Sequence, residues 1–222
     1  MRTLAIGDIH GCFNALKTLA EFVPFRSDDV LVTLGDYINR GPNSRAVLDW
    51  LIARQQTEKL IALRGNHEIM MLAAQDSDGA FREWVACGGD ATLSSYSVDG
   101  RSGSYADIPV THWQFLEETE PWFETKSHIF VHAGVLPDYS LEEQPDFMLY
   151  WEGFEDRGAH ESGKTVICGH TSQRSGRPLD VGHSVCIDTW ACGRGWLTCL
   201  DVLSRKYWQA NQQGETRSDW LD

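Results

Sequence analysis

The chain has 222 residues, 42% of them hydrophobic, which is enough to bury a core within one large domain, and no second domain is expected. A formal net charge of -13 argues against a duplex nucleic-acid binder, because phosphate backbones demand a basic face. The same charge does not exclude a phosphorylated substrate, since bound divalent ions and a few converging arginines reverse the potential locally.

The chain opens with Met1-Arg2 and runs straight into apolar residues, with neither a signal peptide nor an apolar run long enough to span a bilayer. Thr3-Leu4-Ala5-Ile6-Gly7 is predicted as a strand, and Asp8-Ile9-His10-Gly11 as a turn that aims two potential metal ligands the same way. A helix is predicted from about Asn14 to Phe22, with Leu16, Leu19 and Ala20 inward. Val30 to Leu34 forms a second apolar strand, which delivers Asp36 and Arg40 from one tight loop. Pro42 and the apolar spacing of Ser44 to Ile52 then predict a helix entered through a proline. Leu60 to Leu63 repeats the pattern and leads into Arg64-Gly65-Asn66-His67-Glu68. Three strand-helix units, each with polar residues at the strand end, predict an α/β sandwich with ligands at the carboxyl ends of the strands.

From Ile69 to Tyr96 the pattern is helical but broken by Gly79 and by Gly88-Gly89, and 98–107 reads as a loop. Trp113, Leu116 and Trp122 predict a short amphipathic helix, so that about 69–125 reads as a helical and loop insertion within one 1–222 domain. Ile129-Phe130-Val131 then closes on His132-Ala133-Gly134, and Val166-Ile167-Cys168 on Gly169-His170-Thr171. Ser184 to Ala210 is predicted to form antiparallel strands that make a second sheet. The six cysteines show no CxxC pair and lie in apolar or glycine-rich contexts, which predicts buried, reduced thiols and a cytoplasmic protein.

Five strand ends thus carry Asp8 with His10, Asp36, Asn66, His132 and His170, a mixture of carboxylate, amide oxygen and imidazole that suits zinc, iron or manganese. A pair of ions about 3.5–4 Å apart needs a bridging carboxylate. Asp36 is the expected bridge, with Asp8 and His10 completing one ion and Asn66, His132 and His170 the other. Taken singly, each residue has a structural alternative: an Asp or Asn after a strand can cap a helix, and a histidine can be a satisfied core residue. Their joint occurrence at five strand ends favours metal. His112, His128, His160 and His183 are expected to be non-ligands, with His183 the nearest rival, and Glu68 reads as a first-turn helix acid.

These residues resemble the phosphoprotein phosphatase family of binuclear, calcineurin-like metallophosphoesterases, bacterial serine/threonine phosphatase branch. The matching motifs run from Gly7-Asp8-Ile9-His10-Gly11 through Gly35-Asp36-Tyr37-Ile38-Asn39-Arg40-Gly41 and Leu63-Arg64-Gly65-Asn66-His67-Glu68 to His132-Ala133-Gly134 and Gly169-His170-Thr171, with Ile187-Asp188-Thr189 beyond. The resemblance implies two mixed β-sheets flanked by helices. It also implies a phosphomonoester hydrolase with two divalent ions, manganese foremost and iron or zinc as alternatives, in which a metal-bridging hydroxide attacks phosphorus in line.

By the same similarity Arg40 and Arg64 hold phosphate oxygens, His67 protonates the leaving group, and Arg157 is a candidate further clamp. Asn39 stands where protein-phosphatase relatives usually have aspartate, and Trp190 where relatives usually have glycine. The neutral Asn39 also resembles the diadenosine tetraphosphatase-like branch. Expected substrates are therefore a phosphorylated protein or peptide, with a nucleoside polyphosphate or another phosphorylated small molecule as the alternative. A phosphopeptide-binding module without catalysis is the reading from another class, and the intact ligand set argues against it. Trp151 is expected to floor a substrate groove.

Overall fold

The computed structural model describes residues 2–57 and 59–221. Met1, Glu58 and Asp222 lie outside them, and with them the first residue of the opening segment and both ends of the expected domain. The first half alternates strand and helix: β1 (Thr3–Ile6), α1 (Phe13–Phe22), β2 (Val30–Thr33), α2 (Ser44–Gln55), β3 (Lys59–Ala62) and α3 (Asn66–Ala73). α4 (Asp78–Trp84), a π-turn over Val85–Gly89, α5 (Asp90–Ser95), α6 (Val110–Glu117) and β4 (Trp122–Glu124) follow. The rest comprises β5 (His128–Val131), α7 (Asp146–Tyr150), β6 (Thr165–Cys168), β7 (Leu179–Asp180), β8 (Ser184–Cys186), β9 (Leu197–Asp201), β10 (Lys206–Ala210) and β11 (Thr216–Trp220).

Two mixed sheets result, in the orders β11-β10-β9-β1-β2-β3 and β4-β5-β6-β8-β7. Period-two side-chain alternation decides which core each residue enters. Leu4 and Ile6 of β1 point to the helices, against Leu16, Leu19, Val47 and Leu51. Ala5, between them, points to the other sheet and meets Val32, Phe130, Ile167, Val185 and Leu200. On β5, Phe130 joins this inter-sheet layer, whereas Ile129 and Val131 face outward onto Leu141, Leu149 and Tyr150. Strands covered on both faces explain why the sequence shows continuous apolar runs rather than clean alternation.

β1, β2 and β3 are parallel, as are β5 and β6, so their carboxyl ends deliver five loops to one rim. The final third departs from expectation. Ser184 to Ala210 does not make a second sheet of its own: β8 runs parallel to β6, while β9 pairs antiparallel with β1 and carries β10 and β11 outward. In the expected insertion, Gly79 does not break a helix but sits in the first turn of α4, and the break falls at residues 74–77. Gly88 does interrupt the helical path, at φ +98°. Trp122 belongs to β4 rather than to a helix, which ends the helical part of the 69–125 segment at α6. The six cysteines are free, but Cys87 is exposed and Cys192 only half-buried, so the buried-thiol expectation holds for four of them. Among the described residues no helix is long and apolar enough to cross a membrane.

Candidate metal and phosphate site

Three of the five rim loops are held in a conformation that side chains normally avoid. His10, Asp36, Asn39, Arg40 and His170 all have positive φ, between 45° and 70°. Such backbone costs of order 1–3 kcal/mol per residue and persists where the surroundings over-determine it. The determinants are visible. Asp36's carbonyl accepts from the backbone N–H groups of Ile9 and His10, tying the first loop to the second. The fully buried Glu68 carboxylate accepts from the backbone N–H groups of Asp36 (2.8 Å), Tyr37 (2.9 Å) and Gly65 (2.9 Å), tying the second loop to the third. Gly65 must be glycine because a Cβ there would overlap the Asp36 carboxylate.

Asp36 lies at the centre. Its Oδ2 is 3.3 Å from His10 Nε2 and its Oδ1 is 3.5 Å from His132 Nε2, one histidine on each side. Among the described residues, two groups bring donor atoms within 4.8 Å of one another: His10, Asp36 and His67, and Asp36, His132 and His170. Asp36 alone is common to both. Asn66 joins the second group, its Oδ1 3.1 Å from His132 Nε2. Backbone carbonyls set the ring orientations: His10 Nδ1 faces Ile38 O at 2.9 Å, His132 Nδ1 faces Leu34 O at 2.8 Å, and His170 Nε2 faces Trp151 O at 3.1 Å. These contacts leave His10 Nε2, His132 Nε2 and His170 Nδ1 toward the cluster. Asp8 lies outside both groups. Its carboxylate accepts from the backbone N–H of His170 at 3.1 Å.

Burial raises the Asp8, Asp36 and Glu68 carboxyl pKa values, with Asp188 and Asp36 adding at Asp8 and Asp36 adding at Glu68. Asp36 is pushed up to about 7 and Glu68 to about 8. The imidazoles move the other way, again chiefly through burial: His10 to about 3, His132 and His170 to about 4, and His67 further still. Mutually repelling carboxylates beside neutral imidazoles form a donor set that fits divalent cations, which relieve the repulsion and accept imidazole lone pairs.

Around this cluster the expected phosphate residues divide. Arg40 is exposed, and its Nη1 lies 2.9 Å from His10 Nε2, at the mouth of the site. Arg64 instead donates through Nε to Thr119 Oγ1 (2.9 Å) and through Nη2 to the carbonyls of Glu117 (2.7 Å) and Thr119 (3.0 Å), tying β3 to the end of α6. The phosphate role expected of Arg64 is therefore not what its hydrogen bonds display. Arg157 pairs with Glu155 at 3.0 Å and Glu152 at 3.4 Å, so two acids neutralise the expected clamp. His67 stands edge-on to His10, ring centroids 4.8 Å apart, with Nδ1 2.6 Å from Asn39 Nδ2 and Nε2 3.8 Å from Asp36. The four other histidines are engaged elsewhere: His112 with Tyr96 and Asp49, His128 with Ser127, His160 with Tyr139 and Ser162, and His183 beside Asp156.

From sequence Glu68 reads only as a first-turn helix acid, and Asp188 carries no role beyond its place in Ile187-Asp188-Thr189. Asp188 is buried, with its Oδ2 accepting from Ser172 Oγ (2.6 Å) and its Oδ1 from the Trp190 N–H (2.9 Å). An acid directly after apolar Val185-Cys186-Ile187 repeats the pattern of the other loops, and that repetition was the available signal. Trp190 has φ +66° and Arg174 stacked 5.3 Å from its ring, while Trp151 is 45% exposed.

Residues 1–174 match the family model described as calcineurin-like phosphoesterase. Serine/threonine-protein phosphatase 1 of Salmonella typhimurium is 31% identical over 203 residues, covering 89% of this chain and 90% of that protein. The symmetrical bis(5'-nucleosyl)-tetraphosphatase of Methylobacillus flagellatus is 33% identical over 144 residues, covering 64% of this chain. The match spans about half (47%) of that longer relative. Among solved structures, a protein serine/threonine phosphatase from Saccharomyces cerevisiae superimposes with a TM-score of 0.63 at 15% identity, covering all of this chain and 80% of that one, a likeness of fold.

Proposed function

The chain belongs to the calcineurin-like phosphoesterase family, and from that premise we propose that it is a metal-dependent phosphomonoester hydrolase acting on phosphoserine or phosphothreonine in proteins or peptides. The observation that carries the reading is the position of Asp36, shared between two groups of donors. Support for a protein substrate comes from the match with the Salmonella phosphatase, which runs nearly end to end in both chains. On this reading residues 1–222 form one catalytic domain working in the cytoplasm.

Asp8, His10 and Asp36 would hold one divalent ion, and Asp36, Asn66, His132 and His170 a second, with manganese the first choice and iron or zinc compatible with the same ligands. Bound there, the ions supply Lewis acidity and neutralise phosphate charge. The remaining work falls to this chain's own groups. Arg40, at the mouth, presents a planar fork to two non-bridging phosphate oxygens. His67 accepts at Nδ1 from Asn39 and so, as a neutral ring, carries its one proton on Nε2, the nitrogen turned toward Asp36, from which that N–H would hydrogen-bond the departing oxygen as its charge develops. The strained loops keep these groups in place without reorganisation during the reaction.

A second reading is hydrolysis of a nucleoside polyphosphate, favoured by the amide rather than carboxylate at Asn39 and by the tetraphosphatase relatives. A substrate panel with manganese separates the two. Phosphate released from phosphoseryl and phosphothreonyl peptides, with diadenosine tetraphosphate left intact, is the expected result. Formation of nucleoside diphosphate without peptide dephosphorylation would replace the first reading by the second, and turnover of neither would remove both.

A further inference from the structure

Asn39 and Arg40 are held from behind by the segment that follows α4. Gly88, in the π-turn, accepts from the backbone N–H of Arg40 at 3.1 Å, and at φ +98° it could not carry a Cβ without striking Arg40. Four residues on, in α5, fully buried Thr92 meets Asn39 twice. Thr92 Oγ1 accepts from the Asn39 backbone N–H at 2.8 Å and donates to Asn39 Oδ1 at 2.8 Å. Ser44 Oγ lies 3.1 Å from Thr92 Oγ1 and also accepts from the Asn39 N–H, at 3.2 Å.

A hydroxyl has one proton to give. With that proton spent on Oδ1, the Asn39 amide cannot rotate by half a turn without bringing two donors or two acceptors together. Its Nδ2 therefore stays toward His67 Nδ1, at 2.6 Å. We infer that Thr92 is a positioning residue for His67: it fixes the Asn39 amide, and the amide fixes the imidazole with its Nε2–H toward the reacting phosphate ester, where it hydrogen-bonds the departing oxygen. The helical segment beside the site thus sets the leaving-group half of the reaction. This inference rests on the phosphoester reading for its kinetic consequence, but the geometry of Asn39 is open to a separate test.

Thr92→Val keeps the shape of the side chain and removes the hydroxyl, and Thr92→Ser restores the hydroxyl. With manganese-loaded enzyme, kcat and KM are measured on a phosphoseryl peptide, whose alkoxide leaving group needs a proton, and on para-nitrophenyl phosphate, whose phenoxide hardly does. The expected result for Thr92→Val is a kcat at least tenfold lower on the peptide, within about threefold of the parent on the aryl ester, with KM nearly unchanged. Thr92→Ser should return the peptide rate to within about threefold of the parent. A general structural role would lower both substrates together, and that outcome, or an unchanged Thr92→Val peptide rate, overturns the inference.

The second measurement uses the unmodified, metal-free chain and needs neither turnover nor a folded variant. Hydrogen exchange of the Asn39 side-chain amide, followed by NMR, should be slow if both Thr92 and His67 hold it. Exchange at the rate of a free amide overturns the positioning role, whereas slow exchange in a protein that hydrolyses no phosphomonoester would overturn the phosphoester reading alone.

Discussion

Asn39 Nδ2 lies 2.6 Å from His67 Nδ1, a buried contact between an amide and an imidazole with no counter-charge for the protonated ring. Burial lowers the His67 pKa, and neighbouring His10 and Arg40 lower it further. Asn39→Asp introduces a carboxylate that favours imidazolium, and the sign follows: the His67 pKa rises, so imidazolium, the stronger donor to the leaving oxygen, survives to higher pH. The alkaline limb of the kcat/KM profile should move up by about one pH unit or more. A profile that superimposes on the parent would refute this role for Asn39.

Glu68 links three loops through three backbone N–H groups while fully buried. Glu68→Gln keeps one acceptor oxygen and turns an NH2 group toward donors it cannot satisfy. Stability should fall by about 3 kcal/mol, within the range for stranding a buried polar group, and metal affinity should weaken because Asp36 loses its support. Urea denaturation of the metal-free proteins measures the first effect. An equal midpoint for variant and parent would show that Glu68 does not hold the loops.

Trp190 carries an aromatic side chain on left-handed backbone. Replacing it by alanine or by glycine removes the same ring and the same stacking on Arg174, so the pair isolates the backbone cost. Trp190→Gly should be more stable than Trp190→Ala by about 1 kcal/mol, reversing the usual order for these residues. Thermal denaturation of the two variants side by side gives the answer, and alanine at or above glycine would contradict it.

Arg157 is paired with Glu152 and Glu155 and is therefore not expected to reach substrate. Arg157→Ala should leave kcat/KM on a phosphopeptide within about twofold of the parent, whereas Arg40→Ala should lower it at least a hundredfold, as loss of a charge-assisted, bidentate contact does. A large loss at Arg157 would restore it as a phosphate clamp.

The gathering of candidate residues at the rim was legible because each sits at a strand end, inside a short contiguous motif that a linear reading can find. Asp8, His10, Asp36, Asn66, His132 and His170 come from such motifs, and the parallel strands carry them to one edge. What stayed hidden depends on partners far apart in the chain. Whether an apolar run after Ser184 joins β6 or β1 is a matter of long-range pairing, and the run in fact divides between both sheets. The carbonyls that hold Arg64 lie at residues 117 and 119, more than fifty positions away, and its own motif gives no sign of them. Thr92 stands 53 residues from Asn39, in a segment whose local pattern says only that it is helical. Positive φ at five site residues leaves no trace in composition, because none of them is glycine.

The most direct test of the central claim is metal content and activity of Asp36→Asn beside the parent, both loaded with manganese and freed of excess ion. The account predicts two equivalents in the parent, fewer than one in the variant, and a kcat lower by at least a thousandfold, because one carboxylate serves both groups of donors. A variant that keeps two equivalents and parental turnover would contradict it.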